Sequence, residues 1–242
     1  MEIRHKDHTN ESFPVGMLVE KKFKNQIMEF YKFARTCDDI ADNPELSTKE
    51  KLKLLDEQKT DNIYLLELKK AFSQDAQGFV YQNWQDLINY CNLSAAPVGR
   101  FLLHLHNEKA NADTLCAILQ ITNHLLDIKY DATILNRIYI PKNLLQKHNA
   151  NKEALSQNKT SPELKKVIDE IISNLRIMLK NCAQLPSEIT STRLRMEVYI
   201  IISLTNSMLK KIEKGDVLAE NIKPNRFDWI KAIFSGTLKG LF

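Results

Sequence analysis

The sequence predicts an all-α bundle, and three observations carry that prediction. Only six glycines occur in 242 residues, too few for a fold built on Gly-rich turns. Apolar residues recur at helical spacing along most of the chain. No stretch alternates Val or Ile with polar residues for long enough to make a sheet. The hydrophobic fraction is 43% and the charged fraction 26%, the composition of a globular protein with a full core. No repeat or low-complexity linker divides the chain. One domain over residues 1–242, of roughly eight to ten helices, is the expectation.

In chain order, residues 1–16 read as irregular and end in Phe13-Pro14-Val15-Gly16. A first helix is expected from residue 21 or 22 to Asp42, where Asn43-Pro44 stops it. Ser47-Thr48-Lys49-Glu50 reads as a capping box, with a helix following to about Glu57. Apolar periodicity resumes over 62–72, and Gly78 interrupts it. Residues 84–91 are helical, 92–97 a break, and Pro97 suits the first turn of a helix over 98–106. Asn111 or Asp113 caps a long helix running to about Asp131. Residues 136–141 form a loop or short extended segment.

Helical patterns return over 142–147, 161–181 and 187–215. Ser161-Pro162-Glu163 supplies an N-cap, a proline at the first helical position and an acid in the first turn. Lys210, Lys211 and Lys214 before Gly215 mark a helix end. Residues 227–242 are amphipathic: Trp229, Ile230, Ile233, Phe234, Leu238 and Leu241 mix with Lys231 and Lys239. This segment reads either as a last helix packed on the bundle or as one resting on a membrane surface.

Composition also excludes functions. The net charge of +4 is small and dispersed, which argues against a nucleic-acid partner and suits an anionic substrate or an anionic membrane surface. Cys37, Cys91, Cys116 and Cys182 are far apart, without a C-x-x-C pair, and read as buried, reduced thiols of a cytoplasmic protein. Residues 1–11 contain no apolar signal core. The longest apolar run, over 198–204, is too short to span a bilayer, so membrane association through the surface is the most that is expected. No G-x-G-x-x-G follows a strand, so no nicotinamide site is expected. His104 and His106 point apart on a helix and do not form a metal site. Trp84 reads as core. Arg193, Arg195 and Glu197 read as a solvated or ion-paired face.

Two polar stripes stand out. At about 100° per residue, Tyr31, Arg35, Asp38 and Asp42 share a narrow arc of the first helix, opposite Phe33, Cys37, Ile40 and Ala41. On the long helix, Gln120, Asn123, Asp127 and Asp131 share a face beside Leu119, Leu125 and Leu126. A single D-x-x-x-D is a common surface feature. Two of them, each in an apolar helix and with further polar partners, raise a second reading. Four carboxylates in one cavity repel one another, and divalent cations relieve that. Oxygen donors from Asp and Asn suit Mg²⁺ or Mn²⁺, which bridge readily to phosphate. Arg35 and Arg137 would add cations beside a diphosphate, and Tyr31 and Tyr139 hydroxyl donors.

Those residues also carry a family resemblance. Tyr31-x-x-x-Arg35-x-x-Asp38-Asp39-Ile40-Ala41-Asp42 resembles the first aspartate-rich motif of the squalene/phytoene synthases. Gln120-x-x-Asn123-x-x-x-Asp127-x-x-x-Asp131 with Arg137-Ile138-Tyr139-Ile140-Pro141 resembles the second. Tyr90-Cys91 and Ser94-Ala95-Ala96-Pro97-Val98-Gly99-Arg100 resemble the segment between. With Ser12-Phe13-Pro14-Val15-Gly16, the last of these is most similar to the bacterial hydroxysqualene synthase branch. Three departures stand out: Asn136 where glycine is common, one extra residue between Asp131 and Arg137, and His124 at an apolar or aromatic place. His8 is also one place off its usual distance from Phe13, and the chain is somewhat short around residues 72–85.

The resemblance implies an isoprenoid-synthase bundle with a central active-site cavity and Mg²⁺, or Mn²⁺, as cofactor. Asp38, Asp42, Asn123, Asp127 and Asp131 would be metal ligands. Tyr31, Arg35, Gln120, Arg137 and Tyr139 would bind the substrate diphosphate. The catalytic set would be Asp38, Asp42, Asp127, Asp131, Arg35 and Tyr139. The implied reaction converts presqualene diphosphate to hydroxysqualene with release of diphosphate. The alternatives are head-to-head coupling of two farnesyl or geranylgeranyl diphosphates, and a non-catalytic helical relative acting as a scaffold. A head-to-tail prenyl synthase would explain Asp38-Asp39-Ile40-Ala41-Asp42 but not the second stripe.

Overall fold

A computed structural model describes residues 16–241; His8 and residues 12–15 lie outside them. Among the described residues the chain forms twelve α-helices, three short 3-10 turns and no strand. Helix α1 (Lys24–Asp42) follows a 3-10 turn at Lys21–Phe23. It stops at Asn43, whose ψ of 114° is the extended conformation that a following proline favours. Helix α2 (Thr48–Glu57) opens with the expected capping box: Ser47 Oγ accepts from the Glu50 N–H, and the Glu50 carboxylate accepts from the Ser47 N–H.

Helix α3 (Ile63–Gln77) runs past its expected end at 72, up to Gly78 with φ +63°, the left-handed closure that glycine allows. The extension places Asp75 in its last turn. Helices α4 (Trp84–Ser94) and α5 (Ala96–Leu105) are separated by Ala95 alone, so the expected break over 92–97 is a one-residue kink. Pro97 lies in the first turn of α5, where its missing N–H costs nothing.

The long helix expected to reach Asp131 is two helices, α6 (Asp113–Leu126) and α7 (Ile128–Thr133). Asp127 between them has φ −100° and ψ 8°, the sparsely allowed bridge conformation. Its N–H still bonds Asn123 O at 2.9 Å, and the Asp131 N–H bonds Asp127 O at 2.8 Å. The four-residue spacing of the stripe therefore survives the kink. Neither Asn111 nor Asp113 is the N-cap of α6; Ala112 is, while Asn111 Oδ1 accepts from the Asp113 N–H.

After α8 (Lys142–Lys147), Ser161 caps α9 (Pro162–Asn181) by accepting from the Leu164 N–H. The helix expected over 187–215 is broken into α10 (Leu185–Glu188) and α11 (Thr192–Lys214). The Glu108 carboxylate accepts from the Thr190 and Ser191 N–H groups and from the Thr190 hydroxyl, satisfying donors a continuous helix would have used. These breaks raise the helix count above the expected range. Helix α12 (Arg226–Leu241) closes the described chain.

The core centres on α9, which buries Leu164, Val167, Ile168, Ile171, Ile172, Leu175 and Leu179. At about 1.5–3 kcal/mol per buried aliphatic side chain, this helix anchors α6, α8 and α11 around it. Trp84 packs against this core, as expected. Helix α1 belongs to two smaller clusters, Phe30 with Leu65, Leu68 and Phe101, and Cys37 with Leu55 and Ala76. It thus turns its apolar face to α2, α3 and α5.

The structure departs from the solvated or ion-paired face expected for Glu197. This residue is buried on α11 and accepts from the N–H groups of Gly16, Met17 and Leu18, and its burial pushes its pKa up. Its apolar neighbours Leu194, Ile200 and Ile201 explain the misreading: the helix around it is core.

Asp216 ties the start of the loop after α11 to the segment before α9, accepting from Thr160 N–H and Oγ1 and from the Leu218 N–H. Partial burial works against its charge, but these donors outweigh it and hold its pKa below the ordinary value. A depressed pKa contributes stability above the unfolded value, and that contribution is lost as pH falls through the folded one. On acidification from about pH 7 to about pH 3, the wild type should therefore lose more melting temperature than Asp216→Asn. Equal losses by calorimetry would contradict this role.

Candidate active site

The site is assembled from three segments. The first is the polar face of α1. Arg35 donates from Nη1 to Asp38 Oδ2 at 2.9 Å and pairs through Nη2 with Asp39 Oδ1 at 2.7 Å. The stripe therefore exists as read, with Asp39 drawn into it. Tyr31 lies on the same face, partly buried. Asp42, the last residue of α1, is paired across the molecule.

That pairing is made by Arg137, which is only 8% exposed. Its Nη1 donates to Asp42 Oδ1 at 2.6 Å, its Nη2 to Ala41 O at 2.7 Å and its Nε to Asp75 O at 3.2 Å. The fork thus closes on the C-terminal end of α1, where unpaired carbonyls and the helix dipole favour a cation. Burial works against the guanidinium charge, but Tyr139, Asp75 and Asp42 outweigh it and leave the pKa above the usual value.

The second stripe is on α6 and α7. Gln120 Nε2 and His124 Nε2 are 3.2 Å apart, and His124 Nδ1 lies 3.4 Å from Asp131 Oδ2. Asp131 is buried, and Asn123 Oδ1 is a buried acceptor with no hydrogen-bond partner. Asp127 sits at the kink. The third segment is the loop to Pro141. Asn136 adopts φ +52°, which explains how it stands where glycine is common: asparagine tolerates the left-handed region better than other side chains do. The Arg137 N–H bonds Asp131 O at 2.8 Å, so the turn closes despite its extra residue.

Tyr139 joins these parts. Its ring stacks on His124 with centroids 3.6 Å apart, and its hydroxyl donates to Asp75 Oδ1 at 2.8 Å. Tyr90 donates to the other oxygen of the same carboxylate, also at 2.8 Å. Burial raises the Asp75 pKa, while Arg137 and the two phenols pull it back in part. Burial and the neighbouring Asp75 push both phenols well above their usual value. Asp75 was not singled out in the sequence. The signal was there in part, because buried Tyr90 and Tyr139 each require an acceptor.

The carboxylates do not form an all-protein metal cage: among the described residues no three His, Cys, Asp or Glu side chains gather round one point. Mg²⁺ commonly takes one or two carboxylates and fills its remaining positions with water and substrate phosphate. Hard oxygen donors on two stripes, with the unpartnered Asn123 Oδ1 among them, fit an ion shared with a diphosphate. One cavity borders the site and a second lies apart from it. The first, of about 10 Å³, is lined by His124, Asp131, Arg137 and Tyr139. Another of about 370 Å³ is lined by Phe30, Phe33, Leu65 and Phe101, on the face of α1 away from the stripe.

The sequence pattern of the squalene/phytoene synthases matches residues 52–227. The chain belongs to the squalene/phytoene synthase family. This synthase is 31% identical to a hydroxysqualene synthase of Zymomonas mobilis over 98% of its own length and 90% of the relative's. It is 33% identical to one of Rhodopseudomonas palustris, over 95% and 88%. Among solved structures, a dehydrosqualene synthase aligns with a TM-score of 0.78 at 17% identity, over 96% of this chain and 92% of that one. A squalene synthase from Alicyclobacillus acidocaldarius aligns at 0.73 and 21%, over 83% and 86%. These two likenesses show the fold, the expected isoprenoid-synthase bundle. As a family member, the protein is an enzyme of isoprenoid-precursor synthesis.

Arg137→Met should cost about 1.5–3 kcal/mol of unfolding free energy, the worth of hydrogen bonds to a charged group. Arg137→Lys should recover little, because it keeps the charge and loses the fork. Urea titration measures both. A loss under about 0.5 kcal/mol, typical of an exposed site, would mean that the bridge is not formed in solution.

Proposed function

We propose that this enzyme converts presqualene diphosphate to hydroxysqualene. The likeness to three relatives named hydroxysqualene synthase, over 89–98% of this chain, carries the reading. In the reaction the C–O bond to diphosphate breaks and its electron pair leaves with the diphosphate. The cyclopropylcarbinyl cation rearranges, a water oxygen bonds to it, and that water loses a proton. The sum is redox-neutral.

Asp38, Asp42, Asn123, Asp127 and Asp131 would hold Mg²⁺, or Mn²⁺, which when bound takes up negative charge developing on the leaving group. Arg35 and Arg137 are already oriented against these carboxylates, so the diphosphate meets cations held in place before the bond breaks. Tyr31, Gln120 and Tyr139 add neutral donors. We read the chain as one domain, because Arg137, in the loop after the second stripe, is bridged to Asp42 of the first. The four retained aspartates favour an enzyme over a scaffold. Head-to-head coupling of farnesyl diphosphates is the second reading, supported by a presqualene diphosphate synthase 30% identical over 57% of this chain.

The enzyme works at a membrane surface, and α12 supports that. Ala232, Gly236 and Gly240 are its buried residues. Phe227, Ile230, Phe234, Leu238 and Leu241 are 53–81% exposed and fall within roughly an 80° arc on the opposite side. Arg226, Lys231 and Lys239 flank them, and Asp228, the one acid of the helix, is paired with Lys211. An apolar ridge with only basic charge left over fits an anionic bilayer. No helix among the described residues is long and apolar enough to cross one.

Pure protein with Mg²⁺ and presqualene diphosphate should release diphosphate and hydroxysqualene; turnover of farnesyl diphosphate alone would favour the second reading. Asp38→Ala or Asp127→Ala should abolish release with helicity intact, and wild-type turnover in either would sink the metal assignment. The full chain should co-sediment with phosphatidylglycerol vesicles better than with phosphatidylcholine ones, and Phe227→Ser with Phe234→Ser should remove most of that binding. Loss of a dimer by ultracentrifugation, with vesicle binding unchanged, would assign the ridge to a second copy instead.

A further inference from the structure

Asp75 stands outside both stripes, yet both of its polar ends meet the segment that follows the second one. Its carbonyl oxygen accepts from Arg137 Nε at 3.2 Å, and its carboxylate accepts from the Tyr139 hydroxyl at 2.8 Å. The remaining carboxylate oxygen accepts from Tyr90 on α4. Asp75 is the last-turn residue of α3, the helix that also packs on α1. From Tyr139 the contacts continue to His124 by stacking, and from His124 to Asp131 and Gln120. One side chain therefore stands at the head of a connected path through Tyr139 to Gln120 and Asp131, three of the residues read as metal- or diphosphate-binding.

We infer that Asp75 is a positioning residue of the diphosphate site: it fixes the orientation of Tyr139, and through it His124 and Asp131, while its main chain sets Arg137. The inference rests on reading the two stripes as a diphosphate site. The physical basis is the same as for outer partners of metal ligands. A side chain that faces charge works best when its own rotamer is locked by a second hydrogen bond. Tyr139 has one sp³–sp³ and one sp³–sp² torsion to lose; the charge-assisted bond from its hydroxyl restrains the first, and stacking on His124 holds the ring plane. A purely structural Asp75 would support folding without altering affinity at the stripes.

The probe is inorganic diphosphate with Mg²⁺, titrated calorimetrically into the full-length protein, so that the identity of the prenyl substrate does not enter. Asp75→Asn keeps the shape and one acceptor oxygen. It should weaken diphosphate binding on the order of 10–100-fold with little change in melting temperature. Asp75→Asn leaves one acceptor for two phenols, whereas Tyr139→Phe removes the bond together with the direct donor to diphosphate; the double variant should therefore be no weaker than Tyr139→Phe alone, because a hydroxyl that is gone cannot be positioned. Binding within about twofold of wild type in Asp75→Asn overturns the proposal, and so do losses that simply add in the double variant. If Asp75→Asn does not fold, Asp75→Glu, which keeps the charge and moves it by one methylene, takes its place under the same criteria. Wild-type protein that fails to bind Mg²⁺ and diphosphate would overturn the site reading itself; binding that is indifferent to Asp75 would overturn this inference alone.

Discussion

The buried guanidinium of Arg137 is the constraint on which the site depends. The main core, centred on α9, holds α6 and the loop to Pro141, whereas α1 is held by separate clusters on α2, α3 and α5. The packing of α3 on α4 and of α5 on α6 joins these clusters, and a directed connector then fixes how the two polar stripes are aligned. Arg137 supplies it with three directed bonds from one rigid plane, to Asp42, Ala41 and Asp75. A buried charge with fewer partners would cost several kcal/mol. With these partners it specifies which end of α1 faces which end of α7.

Much of this was legible in the sequence because it is written in local rules. The helices, the Ser47 and Ser161 caps, the stop at Asn43 and the proline in α5 each follow from a few adjacent residues. The α1 stripe was legible for the same reason, since Tyr31, Arg35, Asp38 and Asp42 need only helical periodicity to align. What escaped depends on residues distant in the chain. Glu108 breaks the helix before α11 from more than eighty positions away. Glu197 looked like a surface acid until its partners at Gly16 to Leu18 were in view. Asp75 lay beyond the expected end of α3, and its partners Tyr90 and Tyr139 come from other segments. The kink at Asp127 also escaped, because no glycine or proline marks it.

The departures from the family pattern make sense together. Asn136 takes up the left-handed turn that brings Arg137 back to bond Asp131 O. His124 uses a flat ring to stack on Tyr139 as an aromatic would, and adds nitrogens toward Gln120 and Asp131. An apolar residue there could fill the space but could not meet a buried carboxylate. The substitutions are local solutions within one arrangement of the stripes.

The seam between α11 and α12 has a further consequence. A Cβ on Gly236 would come within 2.4 Å of Ile200 Cγ1, and one on Gly240 within 2.3 Å of Met196 Cγ. The last helix therefore cannot roll about its axis, since any other side turned inward would drive a bulkier residue into that contact. Its outward phenylalanines keep a fixed compass bearing relative to the aspartate stripes. Under the membrane docking proposed above, that bearing allows only one tilt of the bundle on the lipid surface, and so sets which way the stripes face relative to it.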